Sequence, residues 1–253
     1  MKYTVITGAS SGIGYETALA FAARGKNIII AARRTAELEE LKLKVANINP
    51  DLDVVIRTVD LSVTANVYEF YESLQDYQIE TWINNAGCGN FASVGEQNLN
   101  RIMTMLHLHI EASTILSSLY VRDYADVEGT QLINVSSGGG YQIVGNSVTY
   151  CATKFYVSAF TEGLAQELKE KGAAMQVKVL APASTETEFI KSAFDLNEFN
   201  YEGFVPKFHT AKEMAGFMLD LYDGEKIVGI VDGKTYDFEL RDPIYPYLAR
   251  TRN

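Results

Sequence analysis

Short apolar runs alternate with longer amphipathic stretches along the whole chain. The runs at residues 3–7, 28–31, 54–59, 79–84, 131–136, 177–181 and 227–231 are almost continuously hydrophobic, the pattern of strands buried on both faces. Between them, helical periodicity predicts helices over 12–24, 36–47, 64–75, 99–124, 149–171 and 211–221. Strands of this kind separated by helices imply a parallel sheet of about seven strands with helices on both faces. Right-handed crossovers then make the expected fold class α/β, with a doubly wound sheet. No linker, repeat or low-complexity tract interrupts the sequence, so residues 1–253 read as one domain. One segment, about 184–210, breaks the rhythm. It shows no convincing strand, and aromatics recur at Phe189, Phe194, Phe199, Tyr201, Phe204 and Phe208. Long irregular stretches in compact domains usually carry function.

Charge narrows the partners. Lys plus Arg number 22 against 32 Asp plus Glu, a net charge of −10. A protein that neutralises nucleic-acid phosphates needs the opposite balance, and the acidity also argues against an anionic membrane surface. There are two cysteines, Cys88 and Cys151, with no second Cys or His at metal-ligand spacing, so no metal site is expected. Two such residues fit reduced thiols in a cytoplasmic protein. The opening MKYTVITGASSGIG enters a strand at once without the apolar core of a signal peptide, and no run reaches the length of a membrane span.

Candidate chemistry begins in the first turn. The run YTVIT leads into GASSGIG and then into an amphipathic helix, with glycines at Gly8, Gly12 and Gly14. Glycines there let a pyrophosphate approach the N–H groups of a helix start; the alternative is a glycine-rich turn without a ligand. The second run ends IIIAARR. A free ribose 2′-hydroxyl calls for a carboxylate at such a strand tip, and a 2′-phosphate calls for arginine. Arg33 and Arg34 stand there, so NADP(H) is preferred over NAD(H), the second candidate, unless both arginines are simply solvated. Asp60 and Leu61 follow the third run, where the carboxylate either meets the adenine amino group or caps the next helix.

Tyr150 and Lys154, in YCATK, share one helix face at i,i+4 spacing. An ammonium beside a phenol favours phenolate and is expected to lower the tyrosine pKa towards neutrality. Ser136 and Ser137 end the run LINVSS, Ser137 thirteen residues before Tyr150. The carboxyl end of a strand in an open α/β sheet is where ligands bind, although either serine could be a turn hydroxyl.

Together, TGASSGIG, NNAG at 84–87, the strand-end serine, YCATK and APASTET at 181–187 resemble a short-chain dehydrogenase/reductase of the compact, single-domain type, from Lys2 to about Leu221. The resemblance implies a Rossmann-like sheet, a nicotinamide dinucleotide and hydride transfer between carbonyl and alcohol. It assigns Tyr150 as general acid/base, Ser137 to orient the substrate oxygen, and Lys154 to hold the nicotinamide ribose and depress the tyrosine pKa. Cofactor contacts are implied for Gly8, Ser10, Ser11, Gly12, Ile13, Gly14, Arg33, Arg34, Asp60, Leu61, Asn85, Ala86, Gly87, Tyr150, Lys154, Pro182, Thr185 and Thr187. Two departures stand out. His109 occupies the place of a relay asparagine, either passing a proton itself or serving as an ordinary polar residue, and Ala183 replaces a glycine after proline.

The resemblance also implies that the 184–210 segment closes over the substrate, and its aromatics suggest an apolar wall joined by Phe91, Tyr141 and Ile143. Only Lys191 and Lys207 are basic there, which disfavours strongly anionic substrates. The expectation is an NADP(H)-dependent carbonyl reductase acting on a small apolar carbonyl or alcohol. A catalytically silent NADP(H) sensor or scaffold is the alternative, and a sugar-nucleotide epimerase is a third reading disfavoured by the glycine spacing. A homodimer or homotetramer is implied through helices 99–124 and 149–171, with Leu116, Leu119, Phe155, Phe160 and Leu164 facing a partner or their own sheet. The tail RDPIYPYLARTRN is expected to cover a neighbour or the pocket.

Overall fold

A computed structural model describes residues 1–194 and 207–249. Its sheet forms where the apolar runs predict it, with strands β1 (Lys2–Thr7), β2 (Asn27–Ala32), β3 (Val54–Thr58), β4 (Gln78–Asn84), β5 (Gln131–Val135) and β6 (Gln176–Ala181). Beyond β6 come two short strands, β7 (Thr185–Glu186) and β8 (His209–Thr210), then β9 (Val228–Val231) and β10 (Phe238–Arg241). The main sheet has eight strands in the order β10-β9-β6-β5-β4-β1-β2-β3, parallel except for β10, which returns antiparallel to β9. The reversal of strand order about β1 makes it a doubly wound, Rossmann-like sheet.

Helices cover both faces. On one side lie α1 (Gly12–Ala23), α2 (Thr35–Ile48) and α8 (Ala211–Asp223). On the other lie α3 (Thr64–Glu72), α5 (Ser113–Tyr124) and α6 (Val148–Lys171). The strand pattern explains the two cores. Ile56, Ile30, Ile6, Ile83 and Ile133 stand in register across five strands and pack against the first layer. One position along, Ile29, Val5, Trp82, Leu132 and Val177 face the second layer. The isoleucine row ends in Lys178, which is buried. Its ammonium donates to the carbonyls of Leu221, Tyr222 and Gly224 at 2.9, 2.9 and 2.6 Å, closing the C-terminus of α8.

The expected helix 99–124 is not continuous. It divides into α4 (Leu99–Leu106), a π-helical turn over His107–Ala112, and α5. The buried side keeps its three- and four-residue spacing through that turn, from Ile102 and Met105 to His109, Ala112, Leu116 and Tyr120, so His109 faces inward with them. Leu116, Leu119 and Leu164 all pack on their own core.

The tail docks on its own chain. Glu162 of α6 is buried, and its carboxylate accepts the Tyr141 hydroxyl (2.6 Å) and the backbone N–H groups of Ile244 (2.5 Å) and Tyr245 (2.9 Å). The Tyr245 ring stacks on Tyr141 at 5.5 Å, and its hydroxyl donates to the Gly140 carbonyl. The tail therefore braces the 138–140 turn. Glu162→Ala is expected to accelerate amide hydrogen exchange at Ile244 and Tyr245 by about tenfold or more. Unchanged protection of those amides would show that the carboxylate does not hold the tail.

Candidate active site

The strands stop at a shared edge, and polar side chains hold their ends together. Asn84 accepts the Trp82 indole N–H (2.8 Å) and donates to Ser117 (3.1 Å) and Asn134 (2.9 Å). Asn134 in turn donates to Thr161 of α6 (2.9 Å). The neighbouring Asn85 turns the other way and donates to the carbonyls of Thr7 (2.9 Å) and Gly8 (3.2 Å), while the Thr7 hydroxyl accepts the N–H groups of Asn85 and Ala86. The glycine loop depends on this closeness. A Cβ on Gly14 would fall 2.4 Å from the Asn85 amide, and one on Gly8, where φ is +68°, would fall 2.7 Å from Ala86 Cα.

All the residues expected to bind cofactor or react line one cavity of about 1000 Å³, except Gly14 and His109. Gly14 backs the wall through Asn85. The cradle at its phosphate end suits an anion. Ser11, the N-cap of α1, makes no side-chain cap, and no carboxylate lies in the first turn of that helix. Arg33 stands beside Asp60. Burial raises the Asp60 pKa, but the hydrogen bonds from Ser62 and the Arg33 charge outweigh it and hold the carboxyl below its ordinary range. Arg34 donates to Ser10 (3.2 Å) and pairs with Glu188 at 3.0 Å, so it also ties the glycine loop to the segment after β6.

The described part of the segment after β6 contains more order than its sequence suggests. β7 pairs parallel with β8, and α7 (Glu188–Phe194) follows β7. Thr187 lies over the glycine loop, 3.0 Å from where a Cβ of Gly12 would stand. The Phe91 N–H donates to the Ala193 carbonyl (3.2 Å), pinning α7 to the loop after β4. Ala183 needs no glycine: it lacks a positive φ, and its carbonyl accepts the Thr185 hydroxyl. Phe199, Tyr201, Phe204 and the Phe194 side chain lie outside the described residues.

At the reactive end the two serines separate. Ser136 is buried and bonded to the Lys154 carbonyl (3.0 Å) and Ser158 (2.7 Å), which fixes α6 to β5. Ser137 lines the cavity and accepts the Gly139 N–H (3.1 Å). A Cβ on Gly139 would stand 3.5 Å from both the Ser137 hydroxyl and the Tyr150 ring. Phe91 and Phe189 flank that ring at 5.4 and 5.7 Å. The phenol is not lowered as its lysine neighbour suggests. Burial pushes Tyr150 up to about 12, against a smaller pull from the Ser137 hydroxyl. Lys154, whose ammonium donates to the Val135 carbonyl (3.1 Å) and lies 5.8 Å from the Tyr150 ring centre, is pushed down to about 8 by burial.

His109 stands behind this pair, buried in the π-helical turn. Its Nε2 accepts the Cys88 N–H (3.0 Å), so Nδ1 carries the proton and donates to Thr153 (2.8 Å). Thr153 passes its own proton to the Tyr150 carbonyl (2.8 Å). Burial holds His109 neutral, well below its ordinary pKa. Both ring nitrogens are hydrogen-bonded within the protein, and the ring fastens the loop after NNAG to the turn that carries Tyr150. The sequence signals neither Thr153 nor Cys88.

Two expected wall residues lie elsewhere. Tyr141 joins the tail, and Ile143 is exposed, while Gln142, Val144 and Tyr236 line the cavity instead. Cys88 and Cys151 are both free thiols. Among the described residues there is no cluster suited to a metal, and no helix is long and apolar enough to cross a membrane.

The comparisons with known proteins agree with one another. The family model described as short chain dehydrogenase matches residues 2–197. An uncharacterized oxidoreductase of Staphylococcus saprophyticus is 30% identical over 189 residues, covering 74% of this chain and 75% of that protein. Human dehydrogenase/reductase SDR family member 11 is 27% identical over 78% of this chain and 77% of its own. Among solved structures, a short-chain dehydrogenase from Sphingobium yanoikuyae in complex with NADPH superposes with a TM-score of 0.82 at 27% identity, covering 91% and 87% of the two chains. A bulky-bulky ketone specific alcohol dehydrogenase from Comamonas testosteroni gives 0.79 at 26% identity, covering 91% and 86%. With its doubly wound sheet and its motifs gathered around one cavity, the chain belongs to the short-chain dehydrogenase/reductase family of oxidoreductases.

Proposed function

We propose that the protein is an NADP(H)-dependent oxidoreductase that interconverts a carbonyl and an alcohol on a small apolar substrate. The observation that carries this reading is one cavity shared by a phenol, an ammonium and a hydroxyl (Tyr150, Lys154, Ser137) with the glycine loop and two arginines. NADPH in the related Sphingobium structure and the ketone specificity of the Comamonas enzyme support it. A bound nicotinamide dinucleotide would supply the hydride; the loop Gly8–Gly14 would hold its pyrophosphate, and Arg33 and Arg34 its 2′-phosphate.

The chain's own residues handle the proton. With its pKa at about 12, Tyr150 is protonated at neutral pH and starts as the acid, giving its phenolic proton to the substrate oxygen as the alcohol forms. Ser137 holds that oxygen from the adjacent turn. The Lys154 ammonium favours the phenolate left behind, and solvent restores the proton. His109 positions the Tyr150 turn without exchanging a proton. Phe91 and Phe189 flank the Tyr150 ring and hold its orientation towards the substrate oxygen. The free thiols fit a cytoplasmic setting, and a homodimer or homotetramer through α5 and α6 completes the reading.

Tyr150→Phe is expected to lower kcat for carbonyl reduction by about 10³-fold while NADPH still binds, measured by nucleotide fluorescence; full turnover in this variant would sink the mechanism. Removing both Arg33 and Arg34 to alanine should raise KM for NADPH by about 10- to 100-fold and leave KM for NADH little changed, on the scale of lost charge-assisted hydrogen bonds. Retained NADPH preference would overturn the cofactor assignment. The pH profile of reduction should run level through neutrality and fall above about 8, because Lys154 is charged only below its lowered pKa. It should show no inflection at about pH 6–7, the ordinary histidine range. An inflection there that vanishes in His109→Asn would make His109 a relay.

A further inference from the structure

Tyr236 holds a backbone conformation that its side chain ordinarily avoids. The turn 232–237 joins β9 to β10, and Asp232 closes it. The Asp232 carboxylate accepts the N–H groups of Lys234 (2.8 Å) and Thr235 (2.9 Å), and its backbone pairs with Asp237 and Tyr236. Tyr236, just before β10 opens, has φ +64°. Hairpins reserve this left-handed position for glycine or asparagine, since a Cβ there crowds its own carbonyl. The other non-glycine residue with positive φ among those described is Asn146, a type that tolerates it. The turn's hydrogen bonds are made by backbone groups and by the side chains of Asp232 and Thr235, so they do not require a ring at 236. Strain that the local fold does not need points to a role in the site.

The location of the ring supplies the role. Tyr236 lines the same cavity as Tyr150. It lies tilted over His209 at 6.0 Å; His209 meets Phe217 edge-on at 5.2 Å, and Phe217 stacks on Phe238 at 4.4 Å. A row of rings rooted in α8 and β10 therefore holds it in place. From the loop before α6, Gln142 leans on the same hairpin, 3.0 Å from where a Cβ of Gly233 would stand. The cavity thus has a second aromatic wall, built separately from the Phe91–Phe189 pair that flanks the reacting phenol.

We propose that Tyr236 is a specificity-determining residue, its ring forming the wall against which the larger arm of the ketone packs. The pocket then selects ketones that carry an aromatic or fused ring over short aliphatic ones. This rests on the carbonyl reductase reading above. Wild type, Tyr236→Phe, Tyr236→Asn and Tyr236→Gly are compared with NADPH on benzil, a diaryl ketone, and on 2-butanone. In the Asn and Gly variants, which suit the turn, the ratio of kcat/KM for benzil over 2-butanone should fall about tenfold, the scale of a lost aromatic contact, with melting temperatures near that of wild type. Tyr236→Phe should keep the wild-type ratio. An unchanged ratio in the Asn and Gly variants, or a Phe variant that behaves like them, overturns the assignment. If wild type binds NADPH but reduces neither ketone, the reductase reading fails, and the wall is tested by binding. Benzil should then raise the melting temperature of the NADPH complex in wild type and not in Tyr236→Asn; an equal shift, or none in either, overturns the proposal.

Discussion

The amide bridge between Asn84 and Asn134 is the contact on which the rest of the site depends. Apolar register holds the sheet together up to the point where its strands end, and there it stops, because the strand ends must turn away and open a cavity. Two cross-strand asparagines replace it. Their bonds to Ser117 and Thr161 carry the bridge into α5 and α6, so two strands and two helices meet at one buried polar cluster. Every member is satisfied, the condition under which a buried network rigidifies a fold instead of weakening it. From that point Asn85 reaches the glycine loop and Ser136 reaches α6, placing both ends of the cavity relative to one origin.

Much of this was legible in the chain. Seven apolar runs gave seven strands of the sheet within a residue or two, because parallel strands buried on both faces leave an unmistakable signature. NNAG, the strand-end serine and YCATK meet at one cavity because each follows directly from a strand or shares a helix turn. What escaped notice depends on partners distant in sequence. β10 (FELR) looks like surface until β9 lies beside it. The π-helical turn leaves no mark on an apolar stripe that continues on both sides of it. Lys178, in the midst of an apolar run, gives no hint of the three carbonyls it closes.

The electrostatics of the reactive pair show burial prevailing over proximity. Spacing alone suggests that an ammonium lowers its neighbouring phenol, but here both groups are drawn towards their neutral forms, the phenol upward and the ammonium downward. Neutral forms need the least solvation, and the ring-flanked cavity offers little. The lysine donates one hydrogen bond to the Val135 carbonyl. The same logic explains His109, which is neutral and doubly bonded where a charged ring would have no counter-ion.

The tail's attachment has a practical consequence for anyone handling the protein. Ile244 and Tyr245 bind Glu162, and Tyr245 bears on Gly140, three positions beyond Ser137. A change that loosens Ile244 or Tyr245 would therefore also loosen the turn behind Ser137. Lys2, exposed at the opposite end of β1, lies about 17 Å of strand from that edge and is the safer side chain to label.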